Sequence, residues 1–263
     1  MATLNLTQVA VMLPFYHEVM AYYREPQRVY HDVTHIHTLL RVGTEVCAEM
    51  RLESDARLMV QLATAILFHD AYYDPYAQKG YPESASASLA VATLRRYQAK
   101  GLLRVARDFD LPATINSIQA TAFYTDKDKQ AAIMNEVEDE QSRLIGLLML
   151  DLDLHSLQYE PSHDVSKGID RKLCKEYENY SSRPMDGSYS AKRAEFILRM
   201  HLRAEHPTGF FHLPYKGAHK FFDSHETRDV LQAQVSDVVH TPNNGIKATV
   251  FVGGSYIPVT IKL

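Results

Sequence analysis

The chain has 263 residues, of which 46% are hydrophobic and 23% charged, and its formal net charge is -4. That balance excludes a disordered chain, a collagen-like chain and a disulfide scaffold. The acidic balance also argues against duplex nucleic acid as the main partner, because phosphate neutralisation supplies most of that affinity.

Two cysteines, Cys47 and Cys174, make no framework and show no metal spacing. They read as buried thiols in a reducing compartment. No run approaches the ~18 apolar residues of a membrane span. The apolar patch Val9–Leu13 lacks a basic flank, so no signal peptide is read. The expected protein is soluble and cytoplasmic, with no membrane partner.

Helical periodicity dominates to about residue 240. Val33, Ile36, Leu39, Leu40, Val46, Cys47 and Met50 mark one face of a first helix. A second is expected from an N-cap at Ser54 to His69, with Leu58, Leu62, Ala65 and Ile66 inward. A third follows Pro82, and shorter pieces are expected at 102–109 and 112–123. Leu144–Leu154 is apolar nearly all round and so reads as central. Later helices are expected near 164–180, 189–205 and 224–239.

In the tail, two β-branched runs flank Gly253-Gly254 and predict a hairpin, with Pro258 confining its strand to an edge. An isolated hairpin is marginal in water, so it must pack on the helices or pair with a second copy as a homodimer. The expected fold class is all-α: a helical bundle over 1–240 with a β-hairpin appendage over 241–263.

The chemistry concentrates in a few polar residues. His31 and His35 are spaced i, i+4, which on a helix places both imidazoles on one face. The next helix ends in Phe68-His69-Asp70, and the apolar helix carries Asp151 and Asp153. A buried carboxylate needs a cation or several donors. A divalent metal ion supplies the cation, and imidazole with carboxylate suits Zn, Mn, Fe, Co or Ni. Arg28 and Lys79 lie near these motifs and are candidate phosphate binders; solvated surface charge is the equal alternative. Glu83 and Asp74 are candidates for orienting the metal's water or its ligands. Glu83 also suits the first turn of a helix without any function. Tyr72, Tyr73, Tyr76 and Tyr81 follow the His-Asp pair and can line a pocket. Arg171, Lys175, Arg193 and Arg199 are more remote candidates on late helices.

Together these residues carry a resemblance. Tyr30-His31 leading to His35, then Ala65-Ile66-Leu67-Phe68-His69-Asp70, Glu83-Ser84-Ala85 and Leu150-Asp151-Leu152-Asp153-Leu154 resemble the HD-domain superfamily of metal-dependent phosphohydrolases. The likeness spans about residues 15 to 235. It implies an HD-domain-like bundle in which His35, His69, Asp70 and one of Asp153 or Asp151 hold one divalent ion (Mn, Fe, Co, Ni, Zn or Mg). Asp153 is favoured by its place near the helix end. It also implies a phosphate-ester substrate, a nucleotide or a related small molecule, with metal-bound water as nucleophile. The Tyr-His-x-x-x-His spacing is similar to that of cyclic-nucleotide phosphodiesterases of the superfamily, which implies His31 as proton donor. The catalytic set so implied and read is His31, Asp70 and Glu83.

Two departures stand out. Gln27, and the stretch ending in Tyr124, lack histidines common in the pattern. No histidine lies between His69 and His155, so one metal is expected rather than two. The alternatives are a non-catalytic metal- and nucleotide-binding module, and an assembly protein with a structural metal.

Overall fold

A computed structural model describes residues 5–103, 110–123, 125–159, 163–181, 188–213, 215, 222–242, 245–252 and 255–262. The chain packs as two compact units, Met1–Leu154 and His155–Leu263. Most of it is helical, with a small C-terminal sheet.

The first unit holds eight α-helices among its described residues: α1 (Leu6–Met12), α2 (Tyr16–Tyr22), α3 (Val33–Glu49), α4 (Ala56–Phe68), α5 (Tyr81–Ala99), α6 (Leu111–Ala120), α7 (Lys127–Asn135) and α8 (Glu140–Leu154). Their starts are set by carboxylate and amide caps, which satisfy N–H groups that have no partner within the helix. Asn5, Asp32, Asp55, Asp110 and Asp126 each accept from the first turn of α1, α3, α4, α6 and α7 in that order. The cap of α4 is thus Asp55, one residue beyond the expected Ser54. α5 starts after Gly80, whose φ of +85° is a left-handed turn that glycine adopts freely, and Pro82 stands in its first turn.

α4 is the hub. Every residue from Gln61 to Phe68 is buried, and the helix packs against α1, α2, α3, α5, α6 and α8. α8 is the second central helix, buried along Ile145, Leu148, Met149, Leu150 and Leu152, and it packs on α3, α4, α6 and α7. The sequence reading placed α8 at the centre, and α4 shares that position with it. α1, α2 and α7 had no counterpart among the expected elements. Most of the expected piece at 102–109 lies outside the described residues.

The second unit contains α9 (His163–Ser181), α10 (Ser188–Ala204), α11 (Ser224–Gln234) and strands β1 (Val235–Thr241), β2 (Gly245–Val252) and β3 (Ser255–Lys262). The strands form an antiparallel meander in the order β1-β2-β3. The expected hairpin is therefore two strands of three. Residues 235–239, expected as the end of a helix, are strand, consistent with the β-branched Val235, Val238 and Val239. β2 alternates buried Ile246, Ala248, Val250 and Val252 with more exposed residues, and β3 buries Val259 and Ile261. That face packs on α10. Pro258 sits on edge strand β3, where a missing N–H is tolerated. The Gly253-Gly254 turn lies outside the described residues.

Candidate metal centre

Four side chains from three helices of the first unit converge. His35 lies in the first turn of α3, its N–H held with that of Thr34 by the Asp32 carboxylate, at 3.2 and 2.8 Å. His69 and Asp70 immediately follow α4, and Asp153 lies in the last turn of α8. Ligand atoms of His35, His69, Asp70 and Asp153 all fall within 4.8 Å of one another. His69 Nε2 stands 2.9 Å from Asp70 Oδ2, 3.3 Å from His35 Nε2 and 3.6 Å from Asp153 Oδ1. His35 Nε2 stands 3.7 Å from Asp70 Oδ2 and 3.8 Å from Asp153 Oδ1.

Those separations suit a shared cation. Ligand atoms about 2.1 Å from one ion lie roughly 3.0–3.4 Å apart at octahedral and tetrahedral angles. The tautomer fits as well. His69 Nδ1 lies 2.8 Å from the carbonyl of Ile66, which can only accept, so Nδ1 carries the proton and the Nε2 lone pair faces the cluster.

The electrostatics of the bare donor set point the same way. Burial disfavours the imidazolium of His69, yet the carboxylates of Asp70 and Asp153 override it and raise the group to about 9. Burial also opposes ionisation of Asp70, but His69, His31 and His35 hold it well below the usual carboxylate range. Asp153 is pushed up to about 6 by burial and by the charge of Asp70, against the pull of His69 and His31. Two carboxylates thus compete for the positive charge of the imidazoles. A divalent cation resolves that competition.

Asp151 is also fully buried but is not part of this group. Residues two apart on a helix do not share a face, so α8 presents Asp153 to the cluster and turns Asp151 elsewhere. The helical phase decides between the two aspartates.

His31 is beside the cluster by a different route from the expected one. α3 begins at Val33, so His31 lies in the bend before the cap rather than one turn below His35 on a helix face. Its ring still comes within 5.8 Å of the His35 ring. It lies against Tyr73 at 4.2 Å with the rings tilted by 31°, meets Tyr30 edge-on at 4.8 Å, and its Nε2 stands 4.0 Å from Asp70 Oδ2.

Arg28 is buried, and its guanidinium is built into the scaffold. It donates to the carbonyls of Asp70 at 2.7 Å and Ala71 at 2.9 Å, and pairs with Glu25 at 3.0 Å. Tyr23, whose ring lies 5.1 Å below that guanidinium, donates to the carbonyl of Leu67 at 2.9 Å. Tyr23 thus occupies a carbonyl in the last turn of α4, where a helix leaves its acceptors unsatisfied, and Arg28 holds two carbonyls of the loop just after it. The adjoining loop is fixed by Ser86, whose hydroxyl accepts from Tyr72 N–H at 3.0 Å and lies 3.2 Å from the Tyr72 carbonyl.

Glu83 sits one turn before Ser86 on α5. Its Oε2 is buried with no hydrogen-bond partner among the described residues. Burial raises its pKa, and the charges of Asp70 and Asp153 raise it further, while Lys79 opposes them. Lys79 itself is exposed, with its Nζ 5.8 Å from the centre of the Phe123 ring. Asp74 accepts from the N–H of Tyr76 at 2.9 Å, a local turn contact. Arg171, Lys175, Arg193 and Arg199 belong to the second unit, where Lys175 pairs with Glu178 and Arg199 with Glu195. Sequence reading did not single out Lys129, whose Nζ lies 3.8 Å from the Phe123 ring centre. No motif marks it, because it meets Phe123 from the next helix.

No helix among the described residues is long and apolar enough to cross a membrane. Comparisons with protein-family models, with curated proteins and with solved structures find no match to this chain.

Proposed function

We propose that the chain is a metal-dependent phosphohydrolase of the HD type, acting on a nucleotide or a related small phosphate ester. The observation that carries this reading is the convergence of His35, His69, Asp70 and Asp153, with His31 beside Asp70. A bound divalent ion (Mn, Fe, Co, Ni, Zn or Mg) would supply a Lewis acid for phosphoryl oxygens and water acidified towards neutral pH. His35 and His69 offer imidazole nitrogens, and Asp70 and Asp153 offer carboxylate oxygens. His31, partly open to solvent and oriented by Tyr73 and Tyr30, gives a proton to the leaving oxygen. Glu83 places a carboxyl that readily holds a proton close enough to feel Asp70 and Asp153. Arg28 acts in this reading by fixing the backbone of the His69-Asp70 pair.

The test is phosphate release from a nucleotide panel by metal-stripped protein, with Mn, Mg, Co, Ni or Zn restored singly. His69→Ala and Asp70→Ala proteins are measured alongside. Metal-dependent release that both substitutions abolish is the expected result. A protein that binds one equivalent of metal and releases nothing under any condition is a binding module instead.

A further inference from the structure

Phe123, in the same unit as the centre just described, draws two cations. It ends the short 3-10 turn Thr121–Phe123 after α6. Lys129, in the first turn of α7, places Nζ 3.8 Å from its ring centre. Lys79, in the loop before α5, places Nζ 5.8 Å from the same point. The π-face attracts each ammonium, which holds two long exposed side chains at one spot. Two like charges brought to one ring favour an anion between them.

α5 links Lys79 to the loop that carries Asp70. Lys79 precedes Glu83 by four residues, and Glu83 is close enough to feel the charges of Asp70, Asp153 and Lys79 together. Ser86, one turn further, is hydrogen-bonded to Tyr72, two residues beyond Asp70. The same stretch thus runs from the ligand loop to Lys79, which shares the Phe123 ring with Lys129.

We infer that Lys79, Lys129 and Phe123 form an anion subsite for a second charged group of the substrate. The inference rests on the phosphohydrolase reading and narrows it. The preferred substrate is a phosphate ester that carries a further phosphate, rather than a simple monoester. Phe123 fixes the lysines, and the lysines contact the second phosphate.

The test compares two probes, adenosine 3′,5′-bisphosphate and adenosine 5′-monophosphate. Binding to manganese-loaded full-length protein, freed of excess metal, is measured by equilibrium dialysis at low salt. The bisphosphate is expected to bind roughly tenfold tighter, the worth of one charge-assisted hydrogen bond. The ratio falls towards one in the Lys79→Gln, Lys129→Gln double variant and falls part of the way in Phe123→Leu. Circular dichroism and retention of one equivalent of manganese establish that each variant is folded. Equal binding of the two probes, binding of neither, or a preference that survives in the double variant overturns the subsite. Phosphate release is followed in parallel. Release without a lysine-dependent preference overturns the subsite alone. A lysine-dependent preference without release overturns hydrolysis and supports the subsite.

Discussion

Arg28 and Asp70 are joined through the main chain: the buried guanidinium donates to the Asp70 carbonyl oxygen at 2.7 Å. A buried cation thereby fixes the position of a ligand residue by holding its peptide group. Arg28→Met is expected to cost about 3 kcal/mol of stability, because it strands the buried carbonyls of Asp70 and Ala71. Arg28→Lys does not restore it, since an ammonium cannot span the Asp70 and Ala71 carbonyls as a planar fork does. Urea unfolding of the three proteins measures this; a loss below about 0.5 kcal/mol would contradict the brace.

The phase of α8 separates its two aspartates. Asp153→Asn is expected to weaken binding of a divalent ion by more than about 100-fold, beyond the usual effect of a residue that only supports a ligand. Asp151→Asn should leave the stoichiometry of bound metal at the wild-type value. Equilibrium dialysis against zinc or manganese, with metal counted by mass spectrometry, decides it. Loss of metal in the Asp151 variant alone would reverse the assignment.

Metal should also be visible in stability. An ion that binds only the folded chain adds about 2.7 kcal/mol at a free concentration of 100 times its Kd. The wild-type Tm is expected to rise with added metal and to fall on chelation. The Tm of His69→Ala should respond to neither. Scanning calorimetry across a metal titration makes the comparison.

Cys47 supplies a test of the core. It is fully buried on α3, and burial, reinforced by Glu53, pushes its thiol up to about 12 from an ordinary 9.0. The folded chain holds this proton more tightly than the unfolded chain. Its contribution is therefore complete below pH 9.0 and is lost as pH rises from 9.0 towards about 12. Cys47→Ala should flatten that part of the stability profile. At mildly alkaline pH, a thiol reagent should leave Cys47 unmodified until the chain unfolds.

His201 tests the second unit from the acid side. Burial lowers its pKa below 6.5 against the opposing charge of Glu205, and its Nδ1 is buried without a hydrogen-bond partner among the described residues. The unfolded chain binds this proton more readily, so stability present above pH 6.5 is lost as pH falls through the lower folded value. His201→Leu should narrow the difference between Tm values taken near pH 7.5 and near pH 5.5. An unchanged difference would remove His201 from the acid response.

Part of the His35, His69, Asp70 and Asp153 cluster was legible because its residues are costly where they stand. An aspartate inside LMLDLDL and a His-Asp pair closing an apolar helix both ask for a partner. The choice between Asp151 and Asp153 was not legible, since a helix apolar on all sides gives periodicity nothing to phase on. Arg28 lay near the motif, but proximity in sequence does not reveal which acceptors a guanidinium finds. Only the backbone carbonyls at the end of α4 give it that place. The spacing of His31 and His35 suggested a helical face, whereas the Asp32 cap starts the helix between them. β1 followed a helical pattern without a break marked by Gly or Pro, so the change to strand at Val235 was read too late.

Asp153 is the last but one residue of the first unit. Synthesis therefore delivers the four candidate ligands in the order His35, His69, Asp70 and Asp153, and the set is incomplete until nearly all of that unit has been made. The second unit is translated only afterwards. An ion able to bind all four residues would thus reward the finished first unit and give little to any shorter nascent chain, which would tie loading of the proposed centre to a defined moment in the protein's biogenesis.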